Sequence, residues 1–204
     1  MLSLSTVEPH TLDILKKIMS FPIFREVRLV GGTSLALQLG HRKSVDLDFF
    51  GKLACTNEEL KSCLRQIGVL TVIKENPNIK IYKVDDVKVD FVNYCYDWIE
   101  DCIEEDGIFL ASMKDIAAMK INAIEGRGTK KDFIDIYFLL QHFSLSQILD
   151  FYAQKYPENS FFRAIMSLTY FNDADAQIPP EMCVSVSWED MKTVIVKAVK
   201  EYQS

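Results

Sequence analysis

The chain has no Cys-x-x-Cys pair, no long apolar run and no surplus of positive charge. Its five cysteines, Cys55, Cys63, Cys95, Cys102 and Cys183, are odd in number. That argues against a disulfide framework and against a cysteine-based zinc site, and for reduced thiols in a cytoplasmic protein. No apolar stretch approaches the roughly 20 residues that span a bilayer, so no membrane partner is expected. The start, "MLSLSTVEPHTLDILKK", lacks the basic-then-apolar pattern of a secretory leader. The formal net charge is −6. A general nucleic-acid coat is therefore not expected, although the charge leaves room for one local basic patch. No internal repeat or low-complexity tract stands out.

What is present is enough to fold. The 204 residues are 49% hydrophobic and 25% charged, which suits one moderate domain or two small ones with a core. Helical periodicity covers 9–20, a short strand 27–30, and a compact helix 33–39 closed by Gly40. "SVDLDFF" (44–50) alternates as a strand. Thr56 with Glu59 marks a capping box that opens a helix ended by Gly68. Three β-rich runs, 69–73, 79–84 and 87–94, are split by "NPN" and "DD" and predict an antiparallel meander at one edge of a sheet. After Gly107 the pattern turns helical: Ser112 with Asp115 opens 113–126, then 130–143, 145–155, 160–170 and 188–202 follow, with 172–180 as a loop. The last helix is expected to bury Trp188, Met191, Ile195, Ala198 and Tyr202. The fold class is α/β (α+β). A domain with a mixed sheet and flanking helices is expected over 1–110, and an all-helical domain over 111–204.

The chemistry begins at "VGGTSLALQLGHRKSVDLDFF" (30–50). A strand, Gly31–Gly32, Thr33–Ser34 and a helix offer backbone N–H donors and a helix N-terminus to a phosphate. A tight turn with an ordinary N-cap explains the same residues. In "VDLDFF", Val45, Leu47 and Phe49 share one strand face and Asp46 and Asp48 the other, with stems roughly 7 Å apart. Two carboxylates at that spacing suit a hard divalent cation such as Mg²⁺; a solvated edge strand is the plainer account. In "VKVDFV", Lys88 and Asp90 share the polar face. If that strand lies beside 45–50, Asp90 completes a carboxylate triad.

In the helical half, Lys120 lies one turn from Ile116 and Ile124, on or beside an apolar face. It either snorkels or meets an anion. Asp132 and Asp135 fall on one side of the next helix. Asp132 can cap the helix start; Asp135, flanked by apolar residues, can pair Lys120 or Arg127.

Gly-Gly-Thr, an Asp-x-Asp strand and a lone strand Asp, over 28–92, resemble the polymerase-β-like nucleotidyltransferase superfamily. Together with "MKINAIEGRGTKKDFIDIYFLL" they look like the AbiEii/AbiGii-type abortive-infection nucleotidyltransferase toxins, over about 25–142. The family tracts fall on Gly31, Gly32, Thr33, His41, Arg42, Ser44, Asp46, Asp48, Lys120, Ala123, Arg127, Asp132 and Asp135. Lys131 departs from the family's usual arginine. Charge survives there, but planar bidentate binding does not.

The resemblance implies a nucleotidyltransferase-type domain over 1–110, a helical domain over 111–204 that completes its active site, and Mg²⁺-dependent transfer of a nucleoside monophosphate from an NTP. Asp46, Asp48 and Asp90 would hold metal, and Asp90 alternatively takes the acceptor's proton. Gly31, Gly32, Thr33, Ser34, Arg42, Lys120 and Asp135 would serve the nucleotide, with Lys120 and Asp132 counted as catalytic. It further implies a toxin–antitoxin pair with a cognate antitoxin and RNA, such as a tRNA 3′ end, as acceptor. A small molecule or protein as acceptor, and a non-catalytic nucleotide- or partner-binding domain, are the alternatives.

Overall fold

The computed structural model describes all 204 residues, Met1–Ser204. They divide into two compact units. The first is Met1–Cys95 with Asp101–Ala111, and the second is Tyr96–Glu100 with Ser112–Ser204.

The first unit runs α1 (Pro9–Ser20), β1 (Val27–Leu29), α2 (Gly31–Leu39), β2 (Leu47–Gly51), α3 (Asn57–Arg65), β3 (Leu70–Glu75), β4 (Ile79–Val84), β5 (Val87–Asn93), β6 (Ile103–Glu105) and β7 (Ile108–Leu110). The seven strands form one mixed sheet in the order β3-β4-β5-β2-β1-β7-β6. β2 runs parallel to β5, and β1 parallel to β7; the remaining pairs are antiparallel. The expected meander, β3-β4-β5, forms one edge.

Alternation then decides the faces. Leu47, Phe49, Tyr82, Val84, Val89 and Phe91 are fully buried and point to the core side. There the Phe49, Phe91 and Phe24 rings stack at 5.1 and 5.0 Å. The capping box at Thr56 and Glu59 opens α3 as expected. Asp85 and Asp86 take φ of 46° and 67° in the β4–β5 turn, a left-handed pair that suits a two-residue hairpin.

The strand expected from residue 44 starts at Leu47, so Val45 is exposed and Asp46 sits just ahead of the strand. The β6–β7 hairpin was not anticipated, although Asp106-Gly107, with φ of 55° and 75°, is a strong hairpin signal.

The second unit is helical: α4 (Met113–Gly126), α5 (Lys130–Leu139), α6 (Leu145–Lys155), α7 (Phe161–Ser167), α8 (Asn172–Asp175) and α9 (Trp188–Tyr202). α4 packs on α5, α6 and α7, and α5 packs on α9. Ser112, Ser144, Ser160 and Ser187 each accept a backbone N–H in the first turn of α4, α6, α7 and α9. Such caps contribute about 1 kcal/mol each. One turn of helix, α8, stands inside the loop expected at 172–180. α9 buries Met191, Ile195 and Val199. That stripe, at four-residue spacing, leaves Tyr202 exposed and Trp188 and Ala198 half-buried, contrary to expectation.

Tyr96–Glu100 is a strap held within the helical unit. Asp115 accepts hydrogen bonds from the Ile99 and Glu100 N–H groups at 2.9 and 3.3 Å. The same carboxylate accepts from Ser112 Oγ and pairs with Lys155 Nζ, both at 2.7 Å. The Lys155 and Asp115 side chains are completely buried. Lys155 also donates to Asp97 O at 2.8 Å and lies 4.7 Å from the Trp98 ring centroid.

Candidate active site

β2 and β5 bring the acids together. Their parallel register pairs Asp48 with Asp90, and paired residues point to the same side of a sheet. Both therefore face away from the aromatic core, and Asp46 immediately precedes β2.

The glycines make room for charged side chains. Gly31 has φ +67°, and a Cβ there would stand 2.7 Å from Asp48 Oδ2. Any L-residue would be strained in backbone and would push that carboxylate aside. A Cβ on Gly32 would collide with Arg42 Nη2. Arg42 is buried and donates from Nη1 to Lys43 O at 3.0 Å.

Thr33 and Ser34 are also fully buried. Thr33 Oγ1 donates to the Asp46 carbonyl and bonds Ser44 Oγ at 2.8 Å. Gln38 Nε2 donates to Ser34 Oγ at 3.2 Å. Neither hydroxyl caps α2. The expected N-cap does not form: Thr33 braces the loop that carries Asp46, and Ser34 is tied to Gln38 within α2. His41 is buried as well.

Lys88 enters this cluster. Its Nζ lies 2.6 Å from Asp90 Oδ2. Burial works to lower the Lys88 pKa, but the hydrogen bond and charge of Asp90, with the charges of Asp48 and Asp46, raise it above the ordinary lysine value. The ammonium thus lies in the field of all three acids. Asp90 Oδ1 is buried and has no hydrogen-bond partner, a costly state for a carboxylate oxygen.

No three acidic, histidine or cysteine side chains close around a metal-sized space. The donor set nevertheless fits a hard divalent cation: one carboxylate oxygen is orphaned, its strand neighbour is a second carboxylate, and a third carboxylate adjoins. Sequence reasoning put Lys88 and Asp90 on one face but missed their pairing. The i, i+2 spacing was its signal.

The helical unit holds a second charged network. Lys120 is buried, with Nζ 3.0 Å from Asp132 Oδ1 and 2.6 Å from Asp135 Oδ2. Arg127 donates to Asp132 from Nε at 3.0 Å and Nη2 at 3.2 Å, and Thr129 Oγ1 donates at 2.6 Å. Burial by itself would raise the Asp132 carboxyl. The Lys120 charge, the Arg127 hydrogen bond and charge, and Thr129 outweigh it and hold the group well below the usual carboxylate range. Two cations thus balance two buried anions.

The chain as a whole matches a known family. A family model described as "Nucleotidyl transferase AbiEii toxin, Type IV TA system" matches residues 13–192. The chain belongs to the AbiEii nucleotidyltransferase toxin family. It is a nucleotidyltransferase.

An uncharacterized Aquifex aeolicus (strain VF5) protein, aq_aa25, is 34% identical to this AbiEii-family chain over 197 residues, covering 93% of it and 94% of the relative. MenT4, the nucleotidyltransferase toxin Rv2826c from Mycobacterium tuberculosis H37Rv, shares its fold with a TM-score of 0.60 at 12% identity, over 94% and 81% of the two chains. JHP933 from Helicobacter pylori does so with a TM-score of 0.54 at 17% identity, over 98% and 94%. ANT(2")-Ia, solved with adenylyl-2"-tobramycin, matches with a TM-score of 0.55 at 16% identity, over 74% and 98%. At these identities the structural likeness speaks to the fold alone. No helix of the AbiEii-family chain is long and apolar enough to cross a membrane.

Proposed function

We propose that this AbiEii-family chain moves a nucleoside monophosphate from an NTP to a hydroxyl of an RNA acceptor, such as a tRNA 3′ end. Mg²⁺ is its cofactor, the cytoplasm its setting, and an antitoxin protein its cognate partner. The observation that carries the reading is the register pairing of Asp48 with Asp90 beside an orphaned, buried Asp90 oxygen.

A divalent ion bound by Asp46, Asp48 and Asp90 would supply neutralising charge at the triphosphate. The chain's own residues do the rest. Gly31 gives the Asp48 carboxylate its seat, and Thr33 fixes the loop before β2. Lys88 holds Asp90 Oδ2, which leaves Oδ1 as the acceptor of a proton. Where Asp90 serves as the base and not as a metal ligand, the hydroxyl's proton passes to Asp90 Oδ1 as the hydroxyl oxygen bonds to the α-phosphorus and the bond to pyrophosphate breaks. Lys120, Asp132 and Asp135 share in the activity in this reading, as the family resemblance implies, by way of the ion network they form in the helical unit.

The test is incubation with each labelled NTP, Mg²⁺ and total RNA, followed by a denaturing gel. Label on RNA is the expected result. Transfer only to an added small hydroxyl compound, with RNA unlabelled, would overturn the choice of acceptor.

A further inference from the structure

The face of the sheet that carries Asp48 and Asp90 continues outward over β4 and β3, and its charge changes sign on the way. Lys88 stands directly opposite Lys83 of β4. Asp90 stands opposite Ile81, and Ile81 opposite Lys74 of the edge strand β3. Paired residues share a face. Along β3, β4 and β5 the charged side chains on this side are therefore Lys74, Lys83, Lys88 and Asp90. Half-buried Ile79, Ile81 and Val92 lie among them. A β-bulge between Val72 and Lys74 sets the register that puts Lys74 here; were Ile73 paired in unbroken register, Lys74 would stand opposite Lys80 and turn to the core side. Lys74 and Lys83 are exposed, and neither makes an ion pair with a carboxylate.

This arrangement needs a reason. A lysine on an edge strand can serve only to deter sheet-to-sheet pairing. Lys83, however, is on an interior strand, and like charges placed directly opposite each other on a sheet are destabilising. Three lysines on one open face, in a chain of net charge −6, suit an anion with several charges at intervals and repel a polycation.

We propose that the Lys88–Lys83–Lys74 face is the track on which a single-stranded phosphodiester acceptor lies, leading its reacting hydroxyl toward Asp90. The lysines meet backbone phosphates, and Ile79, Ile81 and Val92 supply apolar contact for sugars and bases. From β5 to β3 the track spans two strand spacings, about 10 Å. It reads charge and not sequence. The inference rests on the RNA reading above and specifies which surface receives the RNA.

The test uses the full chain and the double variant Lys74→Gln/Lys83→Gln, with the arginine pair Lys74→Arg/Lys83→Arg as control. Fluorescence anisotropy with a labelled single-stranded oligoribonucleotide over a salt series gives affinity and its salt slope. Transfer kinetics give KM for RNA and kcat. Loss of two phosphate contacts lowers the salt slope by about 1.4, at about 0.7 per contact. KM for RNA is expected to rise roughly tenfold, with kcat, NTP binding and melting temperature unchanged and the arginine pair behaving as wild type. If wild type uses RNA and the glutamine pair matches it in slope and KM, the track is wrong and the RNA reading stands. If wild type neither binds nor labels RNA, the RNA reading fails and the track with it.

Discussion

Gly31 and Asp48 are packed so closely that one methyl group on the glycine would reach 2.7 Å from the carboxylate oxygen. The phosphate-binding look of the Gly-Gly pair thus has a second cause in this fold. The glycine makes space for an acid of the site, in a left-handed backbone that a side chain resists. Gly31→Ala is expected to lower transfer about 100-fold through displacement of Asp48, and to cost about 1–2 kcal/mol of stability. Steady-state transfer and urea unfolding of the variant check both parts.

Lys120 is clamped between two buried carboxylates. Lys120→Met removes the cation and leaves Asp135 without that partner in a dry setting. Loss of about 3–5 kcal/mol is expected, read as a lower urea midpoint. Lys120→Met/Asp135→Leu, which removes charge of both signs, should recover a large part of it.

Acid should weaken the same network. The Asp132 carboxyl is held below its ordinary value of 3.8, so the folded state resists a proton that the unfolded chain accepts. The stabilisation is present above about pH 4 and is lost as pH falls from there through the depressed folded value. Urea unfolding at pH 7 and pH 3 should show a steeper loss for wild type than for Asp132→Asn, which has nothing to titrate at this position.

Much of this was legible in the sequence, and the gaps have physical causes. Period-two alternation in β4 and β5 and the serine caps of α4 and α9 placed the main elements. The acids of "VDLDFF" and "VKVDFV" read as a set only on the condition that their strands lie side by side, and the β2–β5 register, which pairs Asp48 with Asp90, meets it. Contacts distant in sequence stayed hidden. Arg42 against Gly32, and Thr33 against the Asp46 carbonyl, depend on how the 40–46 loop folds back, and no local pattern encodes that. Ser112 and Asp115 read as a cap, and that cap forms. The same carboxylate also fastens a strap 15 and 16 residues upstream.

That strap gives a local prediction. The Ile99 and Glu100 amides should exchange with solvent slowly in wild type. Asp115→Ala leaves Lys155 buried without its carboxylate and frees both amides. Exchange at those two positions should rise more than at the β2 and β5 amides, with a stability loss of about 3–5 kcal/mol. Uniform protection at Ile99 and Glu100 in the variant would mean that the strap is held by other contacts.

The central claim is that the Asp46–Asp48–Asp90 cluster of the sheet unit performs nucleotidyl transfer. Its most direct test is Mg²⁺-dependent pyrophosphate release with RNA present, compared between wild type and Asp48→Asn at matched melting temperature. A loss of about 100- to 1000-fold in kcat is expected. An Asp48→Asn enzyme that turns over NTP at the wild-type rate would contradict the account.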